Sequence, residues 1–270
     1  DWPLYVQPKL DGVRCLIQYE PNVASVVSDY EPEVVAYSRT GKEWKNIDHI
    51  LAELKPFFEK YPNVILDGEL YNHDFKDNFE KIISMVRKTK PTEVARAESF
   101  AFVQFHCYDI VDEWTIFEDR NLFIMNELRD NRSVRTVPSM LVYNTEEVEA
   151  KHEDLLELGY EGSILRQNKP YECKRSWTLM KVKDFSDAEA TITGWVEGKG
   201  KRKGTIGKFT AVDSDGNEFG MPVMDKFDYL QENFEEMKTW VGQLATFKYF
   251  ERTKANSYRH PLFKAIRNYE

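Results

Sequence analysis

The sequence predicts an α+β fold in two domains, residues 1–184 and 185–270, from three observations. At 270 residues the chain is longer than most single cores grow before they split. Its first part mixes short β-rich runs with helical stretches. From Ala188 the pattern changes to short strands around one helix, which suits a small β-barrel.

In the first domain, residues 4–9, 13–19, 34–38, 64–70 and 100–110 read as strands, being short runs dense in β-branched and aromatic side chains. Residues 48–60 and 79–87 read as helices, with Asp48 and Asp77 placed to cap them. In the second domain, 190–196, 208–212 and 244–251 read as strands, Asp215-Gly216-Asn217 as a turn and 226–239 as one helix. Five or so strands with one helix in about 85 residues suit an OB-fold. There is no repeat, low-complexity tract or long linker, so the joint near 184–187 reads as a short hinge.

Composition bounds the function. Hydrophobic residues make up 41% and charged residues 31%, with no apolar run near the roughly 18 residues of a membrane span, so a membrane-embedded protein is excluded. The start, Asp1-Trp2-Pro3-Leu4, is neither a methionine start nor a signal peptide, so residues are expected before position 1. Cys15, Cys107 and Cys173 are scattered without a C-x-x-C pair, which argues against a disulfide framework or zinc site and fits a reducing cytosol. The net charge of -9 would speak against nucleic acid if it were spread evenly, but residues 185–270 hold 13 basic and 13 acidic residues, so the excess acid is N-terminal. Cations concentrate in Lys199-Gly200-Lys201-Arg202-Lys203 and between Lys248 and Arg267, so a DNA partner is not vetoed.

Four constellations carry chemistry. Lys9-Leu10-Asp11-Gly12-Val13-Arg14 follows a strand whose alternation puts Tyr5, Gln7 and Lys9 on one face. A lysine there can act as a nucleophile once burial and nearby cations favour its neutral form, although K-x-D-G-x-R alone is a surface turn as readily as a site. Leu66-Asp67-Gly68-Glu69-Leu70 puts two acids on one face of an apolar strand, and Glu161-Gly162-Ser163-Ile164-Leu165-Arg166 puts an acid and an arginine at the ends of another. Such carboxylates could ligate Mg²⁺ or hold sugar hydroxyls, or stand exposed in a turn. Leu179-Met180-Lys181-Val182-Lys183 alternates so that both lysines share a face suited to polyphosphate, or to solvent on an edge strand.

In this order the motifs resemble the covalent nucleotidyltransferase superfamily, most closely ATP-dependent DNA ligases of minimal two-domain viral or bacterial type, over essentially the whole chain. Ser38-Arg39-Thr40-Gly41 and Phe105-His106-Cys107-Tyr108-Asp109 fill the intervening motifs, and Tyr171 to Trp177 looks like the segment leading into the last lysine motif. The resemblance implies an ATP-grasp-like adenylation domain followed by an OB-fold domain that Asp187-Ala188-Glu189-Ala190 opens. It implies nick sealing in duplex DNA for repair or replication, with ATP and Mg²⁺ (or Mn²⁺), by a monomer in the cytoplasm or, if viral, the host cytoplasm.

By the same resemblance, Lys9 attacks the α-phosphate, Glu69 and Glu161 serve the ribose and the metal, and Arg14 and Arg39 bind nucleotide. Lys181 and Lys183 serve the α-phosphate, and Tyr108 stacks on adenine in place of a common phenylalanine. Gln7 stands where many DNA ligases carry a glutamate against the adenine amino group. Arg259-His260-Pro261-Leu262-Phe263 resembles the start of a final motif, but Ile266-Arg267-Asn268-Tyr269-Glu270 lacks its Asp-Lys ending, which leaves Lys264 and Arg267 without an assigned role. With no N-terminal domain before Lys9 and no long insertion between the barrel strands, two domains alone are expected to hold DNA, with Lys199, Lys201, Arg202 and Lys203 contacting phosphate unless that loop is a solvated hairpin tip. Competing expectations are an mRNA capping guanylyltransferase, an RNA ligase, or a non-catalytic nucleic-acid-binding relative; the joint presence of Lys9, Glu69, Glu161, Lys181 and Lys183 argues against the last.

Overall fold

The computed structural model describes residues 2–20, 33–76, 78–253 and 256–267, and the chain divides into two compact units, Asp1–Val182 and Lys183–Glu270. The described strands of the first unit are β1 (Leu4–Pro8), β2 (Val13–Glu20), β3 (Glu33–Tyr37), β4 (Ile65–Tyr71), β5 (Gln104–Ile110), β6 (Val134–Thr136), β7 (Met140–Val142), β8 (Ser163–Gln167) and β9 (Leu179–Val182). They form two sheets, one ordered β7-β1-β8-β9 and antiparallel throughout, the other β3-β2-β4-β5-β6 with only β5 and β6 parallel.

The five-stranded sheet shows why polar side chains gather on one face. Period-two alternation sends Cys15, Ile17, Leu66, Leu70, Phe105 and Cys107 into the core, so Arg14, Asp67 and Glu69 stand on the opposite side. The core side is covered by α1 (Asp48–Lys60), whose Ile50, Leu54 and Phe58 recur every four residues, and by Ile82, Met85 and Val86 of α2 (Phe79–Val86). The smaller sheet packs Leu4, Val6 and Leu165 against Val148 and Leu155 of α5 (Thr145–Glu157).

The structure corrects several sequence expectations. Residues 100–102 are not strand but the end of α3 (Glu93–Phe102), which Thr92 caps by accepting from the Ala95 N–H; Ala95 and Ser99 face inward and leave Phe100 and Phe102 exposed. Ile47, not Asp48, occupies the N-cap of α1, and Asp48 instead places its charge in the positive first turn. Asp77 lies outside the described residues. β9 ends at Val182, paired with Ser163, so the strand alternation invoked for Lys181 and Lys183 does not extend to Lys183.

The second unit is built on β10 (Ser186–Glu197), β11 (Ile206–Val212), β12 (Glu218–Pro222), β13 (Leu244–Tyr249) and β16 (Leu262–Ile266), with a small hairpin of β14 (Glu251–Arg252) and β15 (Tyr258–Arg259). The five-stranded sheet is antiparallel in the order β12-β11-β10-β13-β16. No hydrogen-bonded ladder joins the outer strands β12 and β16 among the described residues, so the sheet is open rather than a closed barrel. The expected single helix is two, α6 (Phe227–Glu232) and α7 (Phe234–Lys238): Asn233 breaks it, its side chain donating to the Tyr229 carbonyl at 2.7 Å. Leu230 and Met237 meet Ile192, Phe209, Met221 and Phe247 in this unit's core.

Phe58 is fully buried against the five-stranded sheet. Phe58→Ala should cost about 3–5 kcal/mol, read as a lower denaturant midpoint with an unchanged slope.

Candidate active site

The last rung of the β1–β8 ladder pairs Pro8 with Ser163, and two backbone bonds carry the pairing one step further. The Lys9 N–H donates to the Gly162 carbonyl at 2.9 Å, and the Glu161 N–H donates to the Lys9 carbonyl at 3.2 Å. This sets Lys9 and Glu161 side by side, and Lys9 Nζ forms an ion pair with the Glu161 carboxylate, both side chains being largely buried. The sequence invokes nearby cations for Lys9; the ion-pair partner the structure supplies is an anion. Gly162 is required here, since its φ is +147° and a Cβ would lie 2.3 Å from the Val182 carbonyl oxygen.

Beyond Lys9 the chain crosses to the five-stranded sheet through Gly12, where a Cβ would fall 2.6 Å from Glu69 Cγ and 2.4 Å from the Leu70 carbonyl oxygen. The register then pairs Arg14 with Glu69 and Leu16 with Asp67. Arg14 grips Asp67 bidentately, Nε to Oδ1 at 2.9 Å and Nη2 to Oδ2 at 3.0 Å. Burial works against the Arg14 charge, but the Asp67 hydrogen bond and charge outweigh it and raise the guanidinium pKa. Glu69 is pushed up to about 8, chiefly by burial and then by Asp67, with Lys9, Lys181 and Arg14 pulling the other way. Those opposing charges place Lys9 and Lys181 in the electrostatic neighbourhood of Glu69.

The back of the site is a buried network the sequence does not reveal. Asp109 is fully buried and accepts from two arginines: Arg120 of α4 (Phe117–Glu127) at 2.8 and 3.1 Å, and Arg166 of β8 at 2.7 Å. Arg166 also donates to the Gln7 side-chain oxygen at 2.7 Å, so the Gln7 amide must turn its nitrogen to the Tyr108 carbonyl (3.1 Å) and Ser139 Oγ (2.9 Å). The Arg166 guanidinium lies 5.4 Å from the Tyr108 ring centroid. Burial, with Asp67 and Glu69 nearby, drives the Tyr108 phenol well above its ordinary pKa and keeps it neutral.

Thus Gln7, Lys9, Arg14, Glu69, Tyr108, Glu161 and Lys181 are gathered in the first unit. Arg39 sits on an exposed turn closed by Gly41 (φ +73°); the β2–β3 register runs from Glu20 with Glu33 to Leu16 with Tyr37, which brings that turn to the Arg14 end of the sheet. Lys183 is the first residue of the second unit, its Nζ 4.3 Å from the Phe250 ring centroid. Lys199, Lys201 and Lys203 are exposed on the β10–β11 loop, whereas Arg202 donates to the Val223 carbonyl at 3.1 Å and helps hold that loop. Lys264 pairs with Asp187, and Arg267 with Glu189 at 2.5 Å. Asp109, Arg120, Arg166 and Tyr171 are site residues to which sequence reasoning gave no individual role, and Asp67, read there as a possible metal or sugar ligand, is instead the partner of Arg14; Asp109, Arg166 and Tyr171 lie inside the motif segments, but Arg120 carries no local signal.

A family model for the ATP dependent DNA ligase domain matches residues 2–183. A DNA ligase of African swine fever virus (strain Badajoz 1971 Vero-adapted) is 30% identical over 211 residues, covering 74% of this chain and 46% of that protein. A DNA ligase of Haemophilus influenzae is 25% identical over 203 residues, covering 72% and 68%. A solved structure from work on DNA binding with a minimal scaffold by Lig E DNA ligases superposes with a TM-score of 0.70 at 26% identity, covering 98% of this chain and 92% of that one. The chain spans about half the length of the viral relatives it matches.

The raised Glu69 pKa has a thermodynamic consequence. Folding raises this carboxyl from its ordinary value near 4.5 to about 8, so the fold loses stability as pH rises between those values and loses no more above them. Glu69→Gln removes that titration. Thermal melts from pH 4.5 to 8.5 should show the variant gaining stability relative to the native chain as pH rises; a constant difference would mean that Glu69 is not held neutral.

Proposed function

The chain belongs to the ATP-dependent DNA ligase domain family, and from that premise we propose that it seals nicks in duplex DNA by way of a lysyl-AMP intermediate. The observation that carries this reading is Lys9, held against Glu161 beside Glu69 and Lys181. Lys9 Nζ, once deprotonated, attacks the α-phosphate of ATP; the new N–P bond forms as the bond to pyrophosphate breaks. AMP then passes to the 5′-phosphate of the nick, and the 3′-hydroxyl displaces it. Each step needs placement and charge neutralisation more than covalent help from other residues.

Lys181 supplies cationic charge to the α-phosphate, and Lys183 keeps that role on its motif. Arg14 and Arg39 bind nucleotide, Tyr108 stacks on adenine, and Gln7 faces the base edge. Glu69 and Glu161 supply hard carboxylate oxygens, and a Glu69 raised to about 8 by burial and Asp67 is a carboxyl short of positive charge, so a divalent cation fits this donor set. Among the described residues no three His, Cys, Asp or Glu side chains are grouped to hold a metal, so water and phosphate oxygens would complete the shell of Mg²⁺ or Mn²⁺. Bound there, the cation would neutralise phosphate charge.

The second unit is proposed to be an OB-fold that contacts DNA, the exposed Lys199, Lys201 and Lys203 meeting phosphates while Arg202 braces their loop. No described helix is long and apolar enough to cross a membrane. We take the protein to work as a monomer in the cytoplasm, or in the host cytoplasm if viral, in DNA repair or replication.

Incubation with α-labelled ATP or GTP and a divalent cation, followed by a denaturing gel, should label the chain with AMP and not GMP. Lys9→Ala should take no label yet still seal a pre-adenylated nick, because that substrate bypasses the lysine; label on the variant would remove Lys9 from its role. Reversing Lys199, Lys201 and Lys203 to glutamate should raise the apparent KM for nicked DNA roughly tenfold at moderate salt and flatten its salt dependence, with self-labelling spared. Unchanged nick binding would make the loop a solvated hairpin tip.

A further inference from the structure

The guanidinium of Arg14 has five N–H donors, and the structure accounts for three. Nε and one Nη2 hydrogen go to Asp67, and the second Nη2 hydrogen goes to the Tyr171 hydroxyl at 2.7 Å. That hydroxyl donates in turn to Asp67 Oδ2, also at 2.7 Å, which closes a ring of hydrogen bonds through Arg14, Asp67 and Tyr171. Burial first, and the Asp67 charge second, raise the Tyr171 pKa, so the phenol keeps the proton this ring requires. Tyr171 is itself fixed: its N–H donates to the Asp112 carbonyl at 3.1 Å, and the Arg120 guanidinium lies 5.8 Å from its ring centroid. Among the described residues the two Nη1 hydrogens of Arg14 have no partner, on a side chain that is 35% exposed.

We propose that Tyr171 is a positioning residue that locks the Arg14–Asp67 pair so that the Nη1 edge of Arg14 is presented to the nucleotide. The inference rests on the ligase reading for what that edge meets, and deepens it by adding a residue outside the lysine and carboxylate machinery. Asp67 alone holds a guanidinium in its plane but lets it pivot about the carboxylate. A third fixed contact removes that freedom, and sub-ångström placement of a charged donor is worth large factors in rate.

Tyr171→Phe deletes the hydroxyl and keeps the ring. The rate of label transfer from α-labelled ATP to Lys9 at saturating ATP should fall about tenfold, with the apparent KM within about twofold and the melting temperature nearly unchanged. In an Arg14→Gln background the same substitution should cost less than about twofold, since nothing remains to be oriented. Wild-type transfer rates in Tyr171→Phe, or a full tenfold loss in the absence of Arg14, would overturn the proposal. A second measurement does not depend on the chemistry: ¹⁵N relaxation of the Arg14 Nε–H should report a rigid side chain in the native protein and a mobile one in Tyr171→Phe, and equal rigidity would also overturn it. If the native chain takes no label, the ligase reading falls while the relaxation comparison still decides whether Tyr171 fixes Arg14.

Discussion

The Asp109 carboxylate joins the parts on which the site depends. It sits on β5 of the five-stranded sheet, and its two arginines come from α4 and from β8 of the other sheet. Buried ions are costly to desolvate, and this group is tolerable because each guanidinium is both paired with Asp109 and hydrogen-bonded beyond it: Arg120 also reaches the Thr115 and Lys169 carbonyls, at 2.5 and 3.0 Å, and Arg166 reaches Gln7. Losing Asp109 would leave both buried guanidiniums without their anion. The network therefore fixes how the two sheets of the first unit meet, and with it the relation of Lys9 and Glu161 on one sheet to Arg14, Asp67 and Glu69 on the other.

A gradient of charge follows from this frame. Asp67 is neutralised by Arg14, Asp109 by two arginines and Glu161 by Lys9, but Glu69 faces its cations without an ion-pair contact among the described residues. Four carboxylates within a few strands thus have different electrostatic surroundings, and Glu69 is the one whose proton is held to about pH 8. A cation or a substrate hydroxyl arriving at the site finds Glu69 as the acid least satisfied by the protein itself.

The second unit stabilises itself by different means. Its core is rich in aromatic contacts, with Phe219, Phe247 and Tyr258 packed at centroid distances of 4.6 to 4.8 Å. Asp213 anchors the turn after β11. Burial would raise its pKa, but hydrogen bonds from Asn217, Tyr258 and the Asp215 N–H bring it down to about 2. The basic β10–β11 loop is likewise tied down, Gly204 donating to Glu197 and Thr205 to the Arg202 carbonyl, both at 2.8 Å, so its exposed lysines stand on an ordered base.

Local sequence determined the strands that carry the site. The alternation in Leu66-Asp67-Gly68-Glu69-Leu70 fixes which side chains leave the core, because that constraint acts between residues a few positions apart, whereas the close approaches that require Gly12 and Gly162 are to Glu69, Leu70 and Val182, far along the chain. Where two local signals compete, the sequence misled: the aromatic residues Phe100 and Phe102 favour strand, yet the Thr92 cap and the inward faces of Ala95 and Ser99 hold them in a helix. The amide at Asn233 similarly divides a helix that periodicity alone would continue. Only the tertiary structure decided that Arg120 and Arg166 converge on Asp109, that Arg166 turns the Gln7 amide, and that Tyr171 reaches back 157 positions to Arg14. Those pairings depend on how two sheets and a helix approach one another, and a buried charge takes whatever partner that packing brings within hydrogen-bond range, whose position in the chain no local pattern records.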